Sequence, residues 1–343
     1  MDKFILKTSM WDSQIIVEED GFGLIIDWIK KNHPESKKVI ITDTNVGAAY
    51  QQLFAEYFPK DQILSVPAGD ESKRFTVVKQ LCEELLQLEF TRSDLIIGFG
   101  GGMITDLAGF VASVYMRGVP LILIPTSLMG MVDAAIGGKT AVNLEAKNII
   151  GTFYPAELVY VDPTFLGGLN DRGIATGIAE VIKYAATLDK SLYEDLMEDK
   201  VDILKIVTKS VKAKVDVVSQ DLRESGFRKV LNFGHTFGHA IEQMSEYKLL
   251  HGEAISIGMT LANKVAQKLD KQTEETGKKI EEMLKKFKLP YEMPSGFEIE
   301  DLVELMKKDK KRTGDKITYV IVPEMGKYEM VEIKPEELIE LVQ

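Results

Sequence analysis

The chain has 343 residues, a length that predicts two domains of roughly 150 residues each. Hydrophobic residues make up 45% and charged residues 28%, a globular composition that excludes a disordered or fibrous protein. The formal net charge is -11. This charge argues against a nucleic acid partner, because an acidic surface repels phosphate backbones, but it leaves room for a local basic pocket.

Cysteine usage and apolar run lengths indicate the cellular setting. Cys82 is the single cysteine, which excludes a disulfide framework and a cysteine-based zinc site. The first ten residues lack the apolar stretch of a signal peptide, and the longest apolar runs, such as 121–125, are as short as a strand. We therefore expect a soluble, cytoplasmic protein without a membrane partner.

Taken in chain order, the first half alternates short β-branched runs with apolar residues at helical spacing. Strands are predicted at 39–42, 95–98, 121–124 and 159–161, and a helix at 77–88. Alternation of strands and helices is typical of a parallel sheet covered by helices. The first half is thus predicted to be an α/β domain.

The second half is predicted to be mainly α-helical from about residue 173 to residue 289. Helices are predicted around 178–184 and at 203–218, 254–269, 276–287 and 301–308, with a late strand at 317–322. The glycine pair Gly167-Gly168 follows the last strand of the first half and marks the boundary. The predicted domains are therefore 1–168 and 169–343.

A glycine-rich segment, 98–106 (GFGGGMITD), follows a predicted strand and opens a helix. Glycines there let backbone N–H groups approach a pyrophosphate at a helix N-terminus, although a tight turn explains them as well. The spacing matches neither G-x-G-x-x-G nor a Walker loop. Asp43, at the end of an earlier strand, could take a ribose hydroxyl or could cap the turn before Asn45.

Three of the four histidines lie within seventeen positions. His235 and His239 are four residues apart, which places both rings on one face of a helix, and His251 precedes the next predicted helix. Clustered imidazoles completed by a carboxylate are typical of a metal site. Spacing alone leaves Glu180, Glu242 and Glu253 as alternatives for that carboxylate.

Basic and amide side chains lie in glycine-rich or apolar surroundings. Lys139 follows two glycines, Lys147 and Asn148 precede a third, and Lys183 lies three residues after a glutamate on a predicted helix. Arg228 lies just before the histidine helix. Such residues on an acidic protein favour an anionic substrate, a phosphate or a carboxylate.

Together these residues lie in strings that resemble one family, 3-dehydroquinate synthase, of the sugar-phosphate cyclases. The strings occur in family order and, with weaker matches, span about residues 40 to 325. They are GGGMITDLAGF (100–110), RGV (117–119), PT (125–126), VD (132–133), GGKTAVN (137–143), KNIIG (147–151), EVIKY (180–184), NFGHTFGHAIE (232–242) and HGE (251–253).

The resemblance implies a Rossmann-like N-terminal domain that binds NAD and a helical C-terminal domain that holds one divalent metal, Zn²⁺ or Co²⁺. It assigns the metal to Glu180, His235 and His251. The NAD contacts that it implies are Asp43, Asp70, Lys73, Gly102, Met103, Ile104, Thr105, Asp106, Thr126, Ser127, Lys139, Lys147, Phe165, Leu166, Gly167 and Gly168.

The resemblance also implies a small phosphorylated sugar acid as substrate and a carbon–oxygen lyase of the shikimate pathway. Arg117 is expected to reach the phosphate bound by the neighbouring subunit of a homodimer. The other substrate contacts that it implies are Asp133, Lys139, Asn148, Lys183, Lys214, Arg228, His239 and Lys311.

A few positions depart from the family pattern. Ala134-Ala135 replaces a serine pair, Thr105 replaces a glycine, Ser127 replaces a threonine, and Asp70 replaces a glutamate. The alternatives are a sister cyclase that makes 2-deoxy-scyllo-inosose or an epi-valiolone, a metal-dependent polyol dehydrogenase, and a non-catalytic sensor. The dehydrogenase would release NADH, and the sensor would not need Lys183, Arg228 and His239.

Overall fold

The computed structural model describes residues 1–8, 11–308 and 316–342. The chain divides into two compact units: Met1–Asn170 with Lys214–Arg223, and Asp171–Ala213 with Glu224–Gln343. The predicted boundary at 168 assigned 214–223 to the C-terminal domain, whereas this segment belongs to the first unit. Among the described residues, no helix combines the length and the apolar character needed to cross a lipid bilayer.

The first unit is an α/β unit whose strands and helices alternate. Its strands are β1 (Asp2–Lys7), β2 (Asp12–Val17), β3 (Lys38–Asp43), β4 (Ile63–Val66), β5 (Leu95–Gly100), β6 (Leu121–Pro125), β7 (Lys139–Val142), β8 (Ile150–Phe153) and β9 (Leu158–Val161). Its helices are α1 (Phe22–Asn32), α2 (Thr44–Ala49), α3 (Gln51–Tyr57), α4 (Phe75–Gln87) and α5 (Gly102–Val114).

A seven-stranded sheet forms the centre of the described part of this unit, with strand order β1-β2-β9-β6-β5-β3-β4. All neighbouring strands run parallel except β1, which pairs antiparallel with β2 at the edge. Strands β5 and β6 are buried throughout, as expected of central parallel strands that are covered on both faces. Strands β7 and β8 form a separate antiparallel hairpin.

The second unit is mainly helical and carries one hairpin among its described residues. Its helices are α6 (Asp171–Thr187), α7 (Ser191–Met197), α8 (Ile203–Gln220), α9 (His235–Met244), α10 (His251–Lys268), α11 (Glu274–Lys286), α12 (Ile299–Lys308) and α13 (Glu337–Val342). Strands β10 (Ile317–Ile321) and β11 (Glu329–Ile333) pair antiparallel. Helix α8 begins in this unit, and its residues from Lys214 onward belong to the first.

The predicted elements are confirmed, although several of their ends differ from the predicted ones in either direction. The predicted helix at 77–88 is α4, in which Val78, Leu81 and Leu85 form the buried stripe that its periodicity indicated. Strands β1, β2, β4, β7, β8 and β11 were not predicted. β4 has only four residues, and β1 is mostly exposed at the sheet edge, so neither carries a strong apolar signal.

Helices α9 and α10 approach so closely that glycine is required where they meet. A Cβ on Gly258 would lie 2.0 Å from the carbonyl oxygen of Gly234, and a Cβ on Gly238 would lie 2.5 Å from the Ile255 side chain. Backbone atoms cannot yield as a flexible side chain can. The glycines therefore set the distance between two helices that carry histidines.

We expect Gly258→Ala to destabilise the second unit by about 1–3 kcal/mol, because the added methyl overlaps backbone and must push α9 and α10 apart. Urea unfolding measures the change. The matched control is Gly23→Ala in α1, where a Cβ would meet nothing within 4 Å. That control should be neutral or slightly stabilising, because alanine favours the helix. Equal destabilisation by both variants would contradict the packing argument.

Candidate functional site

The strand order of the first unit creates a switch point between β3 and β5. The chain leaves β3 for β4 on one side and then returns to β5 on the other side. In open parallel sheets, ligands bind outside the carboxyl ends of strands that diverge in this way. Asp43 ends β3, and the glycine segment runs from the end of β5 into the start of α5.

Within the glycine segment, two kinds of glycine can be distinguished. Gly98 and Gly100 are required by packing, since a Cβ at either would lie below 3.0 Å from side chains of α5 or β6. Gly101 and Gly102 are not required in this way, because their Cβ contacts would begin at 3.4 Å. They lie at the start of the thirteen-residue helix α5, where bare backbone favours close approach of an anion.

Asp43 caps a helix. Its side chain accepts hydrogen bonds from the backbone N–H groups of Asn45 and Val46, at 2.9 and 3.0 Å, and so forms the N-cap of α2. The turn-capping alternative therefore describes one role of this residue. A capping carboxylate still has a second oxygen with which it can meet a hydroxyl.

A polar network joins several residues that the sequence assigned to NAD and substrate. The Lys73 ammonium donates to Asp106 Oδ2 and to Asn148 Oδ1, each at 2.5 Å. Burial raises the pKa of Asp106, and the Lys73 charge only partly offsets this effect. Asn143 extends the network, because its side chain donates to Asp70 Oδ2 and accepts from the Asn148 backbone.

Other predicted residues of the first unit are distributed around these groups. Lys214 donates to Asp133 Oδ1 at 2.6 Å and is buried. Lys147 lies 3.7 Å from Asp70, and Lys139 is exposed on β7. Thr126 is buried after β6, Ser127 Oγ accepts from the Gly130 backbone, and Phe165, Leu166, Gly167 and Gly168 form a 3₁₀ turn.

Arg117 has a left-handed backbone. Its φ is 68°, and the preceding Met116 has a φ of 46°, so two successive non-glycine residues occupy a disfavoured region. Gly118 follows with a φ of 118°. Such backbone strain is often found where a side chain must be presented in one direction.

The second unit brings His235, His239 and His251 together. One ring nitrogen from each lies within 4.8 Å of the others. His235 is the first residue of α9 and is 9% exposed, His251 is the first residue of α10, and His239 is the most exposed of the three. The close packing of α9 against α10 therefore produces the cluster that the spacing predicted.

Glu180 on α6 lies opposite two of these rings. Its Oε1 atom is 3.5 Å from Nε2 of His235 and 3.5 Å from Nε2 of His251. Two ligands bound tetrahedrally to one ion at about 2.1 Å lie about 3.4 Å apart, so the spacing suits a shared cation. The donor set of two imidazoles and one carboxylate suits Zn²⁺ or another divalent transition metal.

The three candidate carboxylates have different surroundings. Glu242 Oε2 lies 3.1 Å from Nδ1 of His251, on the other side of that ring from Glu180. Glu253 accepts two hydrogen bonds from Arg172, at 2.6 and 2.7 Å, and one from the Leu250 backbone at the start of α10. Glu180 is thus the carboxylate that shares a space with two Nε2 atoms.

The pKa values of His235 and His251 are shifted in opposite directions, by burial at His235 and by neighbouring carboxylates at His251. Burial lowers the pKa of His235 well below its usual range, although the Glu180 charge opposes this shift. Burial would also lower the pKa of His251, but hydrogen bonds and charges from Glu180 and Glu242 raise it to about 9. A cation at Nε2 of His251 would replace that proton, because a metal binds the neutral ring.

Lys183 and Arg228, which belong to the second unit, are both buried. Lys183 is 1% exposed and forms an ion pair with Glu180 on the same face of α6. Arg228 is 2% exposed within a 3₁₀ turn just before α9. Lys311 lies outside the described residues.

Sequence reasoning missed two roles within the site. Asn143 lies in the string GGKTAVN without a predicted role, although its side chain links Asp70 to Asn148. The sequence indicates Glu242 only as an alternative metal ligand, whereas its carboxylate contacts Nδ1 of His251. Glu242 lies seven residues after His235, which is two turns along the same helix face. This spacing is the signal that could have placed Glu242 next to the histidine cluster.

The sequence matches the N-terminal model of 3-dehydroquinate synthase over residues 63–176 and the C-terminal model over residues 177–312. A 3-dehydroquinate synthase from Pyrococcus abyssi (strain GE5 / Orsay) is 46% identical over 292 residues, which is 84% of this chain and 85% of that protein.

Two solved structures share the fold. One is 2-deoxy-scyllo-inosose synthase complexed with carbaglucose-6-phosphate, NAD⁺ and Co²⁺, with TM-score 0.86, 23% identity and coverage of 99% of both chains. The other is ValA, a 2-epi-5-epi-valiolone synthase from Streptomyces hygroscopicus subsp. jinggangensis 5008 with NAD⁺ and Zn²⁺ bound. Its TM-score is 0.85 at 25% identity, and the match covers 96% of this chain and 95% of that one.

The α/β unit, the helical unit and these structural likenesses define the fold of a sugar-phosphate cyclase. Within that class the sequence matches are more specific, because both halves of the chain match one family and a relative is 46% identical. The chain belongs to the 3-dehydroquinate synthase family, and it is an enzyme of that kind, a carbon–oxygen lyase.

We expect Glu253→Gln to cost about 1 kcal/mol of stability, because it removes the charged half of a bidentate pair with Arg172. Burial opposes ionisation of Glu253, but the guanidinium and the Leu250 N–H lower its pKa. The stabilisation is therefore complete above the unfolded pKa of about 4.3 and is lost as pH falls through the lower folded pKa.

Urea unfolding of both proteins across the acid range measures this difference. The control is Glu274→Gln, which removes an exposed carboxylate paired with Lys278 on α11 and should change stability by less than about 0.5 kcal/mol. A Glu253→Gln loss that stays constant down to pH 2 would contradict the ion-pair explanation.

Proposed function

We propose that this enzyme converts 3-deoxy-D-arabino-heptulosonate 7-phosphate into 3-dehydroquinate and phosphate, with NAD and one divalent metal, Zn²⁺ or Co²⁺, as cofactors. Family membership supports the reaction. The observation that supports the metal is the position of Glu180 Oε1, which lies 3.5 Å from Nε2 of His235 and 3.5 Å from Nε2 of His251. The related cyclase structures contain NAD⁺ with Co²⁺ or Zn²⁺.

Glu180, His235 and His251 are the proposed metal ligands. When bound there, a divalent ion supplies Lewis-acid chemistry that lowers the pKa of a substrate hydroxyl. The Phe233 carbonyl oxygen lies 3.1 Å from Nδ1 of His235, which directs Nε2 of that ring toward Glu180. His239, the more exposed ring of the cluster, is proposed to bind substrate and carry a proton instead.

The first unit is proposed to hold NAD, which supplies a transient hydride acceptor. The N-terminus of α5 and the bare backbone at Gly101 and Gly102 suit the pyrophosphate. Asp43, at the switch point, suits a ribose hydroxyl. The other proposed contacts are Asp70, Lys73, Met103, Ile104, Thr105, Asp106, Thr126, Ser127, Lys139, Lys147 and the turn 165–168.

Substrate binding is assigned to the basic and polar groups of each unit. Asp133, Lys139, Asn148 and Lys214 belong to the first unit, and Lys183, Arg228 and His239 belong to the second. Burial of Lys214, Lys183 and Arg228 gives their charges a stronger attraction for an anion than surface lysines have. Because the overall formal charge is -11, the rest of the protein repels an anionic substrate, whereas these local cations attract it.

The chemistry balances without net redox change. When one substrate hydroxyl is oxidised to a ketone, the hydride would pass to bound NAD, and the ketone would acidify the adjacent C–H so that loss of that proton expels phosphate. Return of the hydride from NADH to the ketone, ring opening and an intramolecular aldol closure would then give 3-dehydroquinate. The protein contributes mainly orientation, because the substrate itself carries the carbonyl, the leaving group and the aldol partner.

A homodimer is also proposed, with Arg117 reaching the phosphate bound by the neighbouring subunit. The observation in favour is the backbone of Met116 and Arg117, which adopts two successive left-handed conformations at an exposed turn. Strain of this kind must be offset by the surrounding structure, and a defined direction for the guanidinium is a reason to retain it.

The direct test incubates the purified protein with the heptulosonate phosphate, a divalent metal and NAD below the substrate concentration. We expect phosphate release that exceeds the amount of NAD, without accumulation of NADH, because the hydride returns in each turnover. Free phosphate and NADH absorbance are measured together. NADH that rises in proportion to turnover would indicate a dehydrogenase, and phosphate release only from a sugar phosphate that lacks a carboxylate would indicate a sister cyclase.

The ligand assignment is tested with two histidine variants. We expect His235→Ala to lose bound metal, because it removes one of three ligands, and His239→Ala to retain metal but lose most activity. Elemental analysis of the dialysed proteins measures the metal content. Metal lost from His239→Ala and retained by His235→Ala would reverse the assignment.

A further inference from the structure

His251 makes a polar contact through each ring nitrogen. Its Nε2 atom lies 3.5 Å from Oε1 of Glu180, and its Nδ1 atom lies 3.1 Å from Oε2 of Glu242. The two nitrogens of an imidazole point in divergent directions, so one cation bound at Nε2 cannot also be bound by the group at Nδ1. Glu242 is therefore in a position to hold the ring rather than the ion.

Glu242 is itself fixed in place. The residue is 6% exposed and lies on α9, two turns after His235. Its carbonyl oxygen accepts a hydrogen bond from Ser245 Oγ at 2.8 Å and another from the Tyr247 N–H at 3.0 Å. These contacts anchor the end of α9 just before the loop that leads to His251.

The two histidines differ in how their Nδ1 atoms are held. His235 uses the Phe233 backbone carbonyl, which no side-chain change removes. His251 uses the side chain of Glu242. The orientation and tautomer of His251 therefore depend on one residue that can be replaced.

We propose that Glu242 is a positioning residue for the metal site. Its carboxylate accepts a hydrogen bond from Nδ1–H of His251, which leaves the Nε2 lone pair directed toward Glu180 and makes it a stronger donor. A carboxylate behind a ligating imidazole has this effect in metal sites generally. The inference rests on the proposed function, because it assumes that a divalent ion binds between Glu180, His235 and His251.

The test measures metal affinity rather than turnover. Purified wild-type, Glu242→Ala and Glu242→Gln proteins are stripped of metal, and Zn²⁺ affinity is measured by competition with a chromogenic chelator. Glu242→Ala should bind Zn²⁺ about 10–100-fold more weakly. Glu242→Gln should give an intermediate value, because its amide oxygen can still accept from Nδ1–H but carries no charge.

The matched control is Glu246→Gln, four residues after Glu242, which removes an exposed carboxylate paired with Lys248. Its Zn²⁺ affinity should equal that of the wild type. The comparison with Glu180→Ala separates positioning from ligation, because loss of a direct ligand should weaken binding further than loss of Glu242. Circular dichroism shows whether each variant is folded.

A spectroscopic measurement adds a second test, because general loosening of the fold would not produce the change expected here. Co²⁺-loaded Glu242→Gln should keep an intense visible spectrum of the tetrahedral type with shifted bands, because the ligand atoms are retained while the donor strength of His251 changes.

Wild-type affinity in folded Glu242→Ala would overturn the proposal. A loss as large as that of Glu180→Ala would overturn it in favour of direct ligation. A wild-type protein that binds no divalent metal would instead remove the metal from the proposed function, so the two failures are distinguishable.

Discussion

The second unit depends on one buried carboxylate, that of Glu180, which is 0% exposed. A buried charge is costly unless cations or hydrogen-bond donors surround it. Lys183 pairs with it on the same helix, and the Nε2 atoms of His235 and His251 face it from two other helices. Such a carboxylate holds cationic groups near it, and it suits the exchange of a proton for a divalent ion.

Glycines allow the helices that carry these charged groups to pack closely together. A Cβ on Gly252 would lie 2.1 Å from the Thr176 carbonyl oxygen, so the start of α10 contacts the backbone of α6. Gly258 and Gly238 bring α10 equally close to α9. Three helices thus converge with backbone separations that larger residues would not permit, and the carboxylate of Glu180 can meet the imidazoles without long, flexible side chains. A rigid scaffold of this kind suits the proposed metal site.

Much of the architecture could be predicted because its signals are local. The strands at 39–42, 95–98 and 121–124 are short runs rich in isoleucine, valine and leucine, and the glycines of 98–106 mark the passage from β5 into α5. The edge strand β1 carried no such signal, since its residues are mostly exposed. The sequence also could not assign the segment 214–223 to the first unit. Helix α8 is uninterrupted, and no break in its sequence marks the point where it passes from one unit to the other.

For the site, the sequence by itself determined the chemistry available: three clustered imidazoles, several glutamates, and lysines and arginines beside glycine-rich turns. It also determined the family through the order of its motifs. Only the tertiary structure distinguished the three glutamates. Glu180 lies near Nε2 of His235 and of His251, Glu242 lies near Nδ1 of His251, and Glu253 pairs with the guanidinium of Arg172. The physical reason is that sequence spacing specifies neighbours along one helix, whereas these contacts join residues of different helices, which meet only when the helices pack.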